Sequence, residues 1–163
     1  MTKIFDIGIK LLHPDAKLPT KANPTDSCYD VVAVNREALY IEDVVYGYKY
    51  QLGFALHLPI NTELQVRARS SIFKTGLILS NGIGTGDEGY TGEYSVIFYH
   101  VVKELEPYNV GDRVAQITLQ SRANMSFNLV DKMPDKDRGA NGFGSSGLLA
   151  LPKKKHARDV TYD

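Results

Sequence analysis

With a single cysteine, Cys28, the chain can form no internal disulfide, and a reduced, cytoplasmic setting is expected. It also lacks an excess of either charge: 19 Lys and Arg balance 19 Asp and Glu. A neutral chain is not built as a general binder of nucleic acid or membrane, so neither partner is expected. No apolar run is long enough to span a bilayer. The opening MTKIFDIGIKLLHPD has neither the uninterrupted apolar stretch of a secretion signal nor the Arg-rich amphipathic character of a transit peptide. A sustained 3.6-residue period is missing as well, leaving room for one short helical stretch around residues 71–76. His13, His57, His100 and His156 are scattered without ligand spacing, so no zinc site is expected.

What the chain does have is period-two alternation. Phe5, Ile7, Ile9 and Leu11 alternate with polar residues, as do Leu64, Val66 and Ala68. The longest such row runs through Tyr46, Tyr48, Tyr50, Leu52, Phe54, Leu56 and Leu58. Residues 94–102 and 114–119 are also β-rich, and turn signals such as Asn81-Gly82 and Asn109-Val110-Gly111-Asp112 separate the runs. Many short strands predict an all-β sandwich or barrel. One β domain is expected over residues 1–133. A flexible arm follows over residues 134–163, where glycine, serine and charge replace the alternation.

Three segments depart from scaffold chemistry. Residues 81–93 carry five glycines beside Asp87, Glu88 and Glu93; such a loop lets backbone approach a ligand while an acid activates water or holds a cation. Taken alone, it also suits a β-hairpin with a glycine-rich turn. The segment Arg138-Gly139-Ala140-Asn141-Gly142-Phe143-Gly144-Ser145-Ser146-Gly147 offers N–H, hydroxyl and guanidinium donors for phosphate, with a ring suited to closing over a flat base. Arg67-Ala68-Arg69-Ser70-Ser71, at a strand end, offers the same kind of donors.

In this order, these segments resemble the five motifs of the trimeric dUTPase family. The motifs stand here as Ser27-Cys28-Tyr29-Asp30-Val31-Val32-Ala33, Ala68-Arg69-Ser70-Ser71-Ile72-Phe73-Lys74-Thr75-Gly76, residues 81–93, Gly111-Asp112-Arg113-Val114-Ala115-Gln116, and residues 138–147. Cys28, Gly86, Gly89 and Asn141 depart from the family pattern, and the two loop glycines imply a softer third segment.

The resemblance implies a jelly-roll β domain that forms a homotrimer with shared sites. It implies hydrolysis of dUTP to dUMP and pyrophosphate, which limits uracil in DNA and supplies dUMP. Asp87 would be the general base for in-line attack of water on the α-phosphorus. Tyr90 would pack under the deoxyribose and reject a 2′-hydroxyl. Asn81 and the backbone near Gly84 would read the uracil edge, in a hairpin too tight for a thymine methyl. Arg69, Ser70, Ser71 and Gln116 would bind the α- and β-phosphates. Arg138, Ser145 and Ser146, with the Gly144 backbone, would hold the γ-phosphate, and Phe143 would cover the base. Mg2+ would chelate the phosphates, with Asp30 contacting it through water.

Two alternatives share the scaffold. A dCTP deaminase places a catalytic glutamate ten residues after the loop aspartate, where this chain has Ile97, with Glu93 a weak substitute. A regulatory protein on the same scaffold need not keep Asp87, Tyr90, Arg138 and Phe143, all of which are present.

Overall fold

The computed structural model describes residues 4–141. These fall into two units, one ending at Asn124 and one starting at Met125. The first holds, among the described residues, the strands β1 (Gly8–Leu11), β2 (Tyr29–Val32), β3 (Asn35–Ile41), β4 (Val44–Gln51), β5 (Phe54–His57), β6 (Thr62–Arg67), β7 (Leu77–Leu79), β8 (Gly84–Gly86), β9 (Ser95–His100) and β10 (Arg113–Ser121). A five-residue 3-10 helix, Ser70–Lys74, follows β6, close to the expected helical stretch.

Every pairing is antiparallel. One sheet runs β2-β10-β6-β8, a second β3-β4-β9-β7, and β1 pairs with β5. Inward residues of all three meet in one core, in which Val31, Leu64 and Val114 join Tyr50, Phe98 and Phe54. The all-β architecture is the one expected. On β6 the alternation expected from sequence is realised, with Thr62, Leu64 and Val66 buried and Glu63, Gln65 and Arg67 half-buried.

The long tyrosine-leucine row is not one strand. It breaks at Gly53, whose φ of 69° lies in the left-handed region. The chain therefore leaves β4, paired with β3 and β9, and enters β5, paired with β1. The Glu93 carboxylate fixes this corner, accepting from the Gly53 N–H and from Gln51 Nε2 at 3.1 Å each.

The glycine-rich third segment is not a hairpin either. β7 pairs with β9 and β8 pairs with β6, so residues 80–83 carry the chain from one sheet to the other. Nor is Gly86 a soft point: it is a buried residue of β8, paired with Leu64, and the Tyr94 side chain fills the space a side chain there would need.

Residues 125–141 of the second unit form no strand. Met125, Phe127, Leu129 and Met133 are almost fully exposed within it. A turn closes at its far end, where Arg138 Nε donates to the Asn141 carbonyl at 2.9 Å.

Candidate active site

Two clusters of polar residues form, at opposite ends of the first sheet. The first is a cavity of about 280 Å³ where the edge strand β8 meets β7 and β9. Its lining includes Asn81, Gly84, Asp87, Tyr90, Tyr94 and Ile97. That size suits a nucleoside but not a triphosphate. Loop geometry sets the Tyr90 ring: its N–H donates to the Asp87 carbonyl at 3.0 Å and its hydroxyl to the Glu93 carbonyl at 2.9 Å. The ring closes over Gly92, where a Cβ would come within 2.6 Å of the hydroxyl. It then meets Tyr94 edge-to-face at 5.3 Å. The Asp87 side chain is exposed and forms no hydrogen bond or ion pair among the described residues. Burial, with Tyr90 and Asp87 adding to it, pushes the Tyr94 phenol up to about 12.

The second cluster lies across β2, β10 and β6. Asp30 is paired in register with Gln116, and Gln116 with Arg67. The Asp30 carboxylate, 14% exposed, accepts from Arg69 Nε and from Arg113 Nη1, both at 2.9 Å. Gly111, at φ 91°, turns the chain into β10 just ahead of Arg113. Arg69 also donates to the Arg113 carbonyl at 3.2 Å and to Ser71 Oγ at 3.3 Å. Gln116 Nε2 donates to the Ala68 carbonyl at 2.8 Å, holding the backbone that leads to Ser70. The result is two guanidinium groups locked by one carboxylate, with serine hydroxyls alongside: a rigid donor array for phosphate oxygens.

The structure thus brings Asn81, Gly84, Asp87 and Tyr90 together, and separately gathers Asp30, Arg69, Ser71 and Gln116, with Ser70 between Arg69 and Ser71 at the start of the 3-10 helix. Arg138 is exposed in the second unit. Phe143, Gly144, Ser145 and Ser146 lie outside the described residues. Sequence reasoning gave no role to Arg113, although it stands inside a quoted motif, nor to Tyr94, whose contact with Gly86, eight residues earlier, depends on how the loop between β8 and β9 folds back. Glu93, the substitute acid for deamination, has both carboxylate oxygens engaged at the Gly53 corner, and Ile97 contributes an alkyl group to the cavity.

Comparison with known proteins points one way. A profile of the dUTPase family matches residues 14–147. Deoxyuridine 5'-triphosphate nucleotidohydrolase of Zymomonas mobilis is 34% identical over 143 residues, covering 87% of this chain and 97% of its own. The enzyme of the same name from Nocardia farcinica is 34% identical over 150 residues, covering 90% and 88%. Among solved structures, Staphylococcus bacteriophage 80alpha dUTPase with dUPNHPP superposes with a TM-score of 0.72 at 21% identity, covering 88% of this chain and 99% of that one. A mutant dUTPase from phage phi11 of S. aureus, described with a structural Mg(II) ion, gives a TM-score of 0.65 at 18% identity, covering 80% and 100%.

Proposed function

Since the chain belongs to the dUTPase family and hydrolyses dUTP to dUMP and pyrophosphate, we propose that Asp87 is its general base and that the two clusters divide the nucleotide between them. The β8–β9 cavity takes the deoxyuridine, with Asn81 and the Gly84 backbone at the uracil edge and Tyr90 against the sugar. The Asp30-braced Arg69, with Ser70, Ser71 and Gln116, takes the α- and β-phosphates. Arg138, with Ser145, Ser146 and the Gly144 backbone, holds the γ-phosphate, and Phe143 covers the base. Asp87 accepts a proton from water as its oxygen attacks the α-phosphorus, and the bond to the bridging oxygen breaks to release pyrophosphate.

The observation that carries this reading is the division itself. Asp87 follows Gly86, the partner of Leu64, whereas Asp30 lies in the Gln116–Arg67 row, four residues along β6 and three strands across. At about 3.3 Å per residue and 4.8 Å per strand, their backbones are about 19 Å apart. A water on Asp87 cannot reach a phosphorus held by Arg69 of the same chain. A homotrimer, in which one subunit's nucleoside cavity faces another's phosphate cluster, closes that gap. The exposed row Met125, Phe127, Leu129 and Met133 gives a second reason for partner subunits, since apolar side chains left uncovered in one unit need a surface to bury them.

Among the described residues, no three His, Cys, Asp or Glu side chains are grouped to cage a metal. Mg2+ would be carried by the triphosphate, and Asp30 is the residue that would contact it through water. The chemistry supplied there when the ion is bound would be neutralisation of the charge that develops on the pyrophosphate. No helix among the described residues is long and apolar enough to cross a membrane. The lone Cys28 suits the reducing cytoplasm.

Asp87→Asn tests the assignment. Turnover of dUTP is expected to fall by about three orders of magnitude, the middle of the range for a general base, while binding of a non-hydrolysable dUTP analogue, followed by calorimetry, persists. Turnover near that of the unaltered protein would remove Asp87 from the role.

A further inference from the structure

Of the residues that line the cavity, one carries a donor without an acceptor and another an acceptor without a donor. Tyr94 is 5% exposed, and its hydroxyl is fully buried with no hydrogen-bond partner among the described residues. An unpaired buried hydroxyl is costly, and a phenylalanine would avoid the cost. The backbone of Tyr94 is fixed on both sides: its N–H donates to the Phe54 carbonyl at 2.9 Å and its carbonyl accepts from the Leu52 N–H at 3.0 Å. Its ring packs on Phe54 at 6.1 Å and on Tyr90 at 5.3 Å. The hydroxyl is therefore aimed, and it is aimed at residue 86. A Cβ on Gly86 would come within 2.6 Å of it, so the glycine is what makes room. The next residue is Asp87, which lines the same cavity and whose carboxylate is unpaired among the described residues. Burial above all, with Tyr90 and Asp87 adding to it, holds the Tyr94 phenol up at about 12, so it remains a proton donor at neutral pH.

Building on the reading of Asp87 as the base, we propose that Tyr94 is a positioning residue: in the nucleotide-bound site its hydroxyl donates a hydrogen bond to the Asp87 carboxylate and fixes the oxygen that faces the attacking water. The pairing requires the glycine at 86 and the tyrosine at 94 together, since any side chain at 86 would occupy the hydroxyl's place. It satisfies both orphan groups at the moment the general base needs a defined orientation.

The test is a cycle of Tyr94→Phe, Asp87→Asn and the double variant, with dUTP turnover, binding of the imido analogue dUpNHpp and thermal unfolding measured for each. Tyr94→Phe is expected to lose about tenfold in kcat, the scale of a hydrogen bond to a charged group, with KM and analogue affinity unchanged and Tm not lowered. In the Asp87→Asn background the same substitution should change the residual rate less than about twofold, because its effect runs through Asp87. Gly86→Ala, which pushes on the hydroxyl while keeping it, should repeat the kcat loss without a change in KM. Unchanged kcat in Tyr94→Phe, or an equal loss with and without Asp87, would overturn the proposal while leaving the general-base role intact. Full activity of Asp87→Asn would instead remove the role on which the proposal rests.

Discussion

Glycine 92 and Tyr90 show how much a single missing Cβ decides. The Tyr90 ring occupies the place a side chain at 92 would need, with the hydroxyl on the Glu93 carbonyl. Gly92→Ala should lift the ring from its seat, and because that ring is the proposed gauge of the sugar, kcat/KM for dUTP relative to UTP should fall by at least about tenfold, the scale of one pocket contact. Parallel kinetics on the two nucleotides measure it. Tyrosine chemistry supplies a second residue-scale expectation. Burial pushes the Tyr50 phenol up to about 12, against the pull of Arg36, and its hydroxyl donates to the Tyr108 carbonyl at 2.9 Å. Tyr94 is raised to about 12 as well. Both phenols hold their protons in the folded chain at pH values where the unfolded chain has lost them. Their contribution to stability is therefore complete below pH 10 and declines as pH rises from 10 to about 12. Absorbance near 295 nm should show Tyr50 and Tyr94 ionising late, together with unfolding.

Among the elements, the β3–β4 hairpin turns on Glu42 and Asp43, at φ 46° and 64°. Two successive left-handed residues make the type of turn that favours Asn-Gly. Replacing Glu42 and Asp43 by Asn and Gly should stabilise the chain by about 1 kcal/mol, judged from the cost of left-handed backbone; denaturant midpoints at constant slope would show it. The same turn explains why β3 is hard to see in the sequence. Its turn residues give no glycine signal, and as an edge strand it buries neither face, so no alternation develops. β8, Gly84–Gly86, is invisible for a different reason: a strand of two glycines around a threonine has no side-chain pattern at all. β6 and β10 were legible because each buries one face. The long tyrosine row misled because alternation survives across the Gly53 corner, although the chain changes sheets there. For the site, sequence order named Asp30, Arg69 and Gln116 of the second cluster but not Arg113, the other guanidinium on Asp30. What it could not convey is that Glu93 is structural, or that Asp87 and Asp30 lie far apart across the sheet.

At the scale of the whole molecule, that separation makes a prediction about mixtures. Asp87→Asn and Arg69→Ala should each be inactive alone. If a site takes Asp87 from one subunit and Arg69 from another, co-assembled subunits carrying one defect each should recover about one quarter of the normal rate, the fraction of random pairings with both partners intact. Recovery should be absent when pre-formed oligomers are mixed without exchange, and absent altogether if one chain carries the whole site. Light scattering on the same samples fixes the oligomer size. The placement of two half-sites at opposite ends of one sheet also ties chemistry to abundance. If the proposed sharing of sites between subunits holds, a lone subunit has no complete site, and specific activity should collapse on dilution well before the fold does. On that reading, newly made chains would stay silent until enough of them have met, a threshold that follows from the separation of Asp87 and Asp30 along β6 and β8.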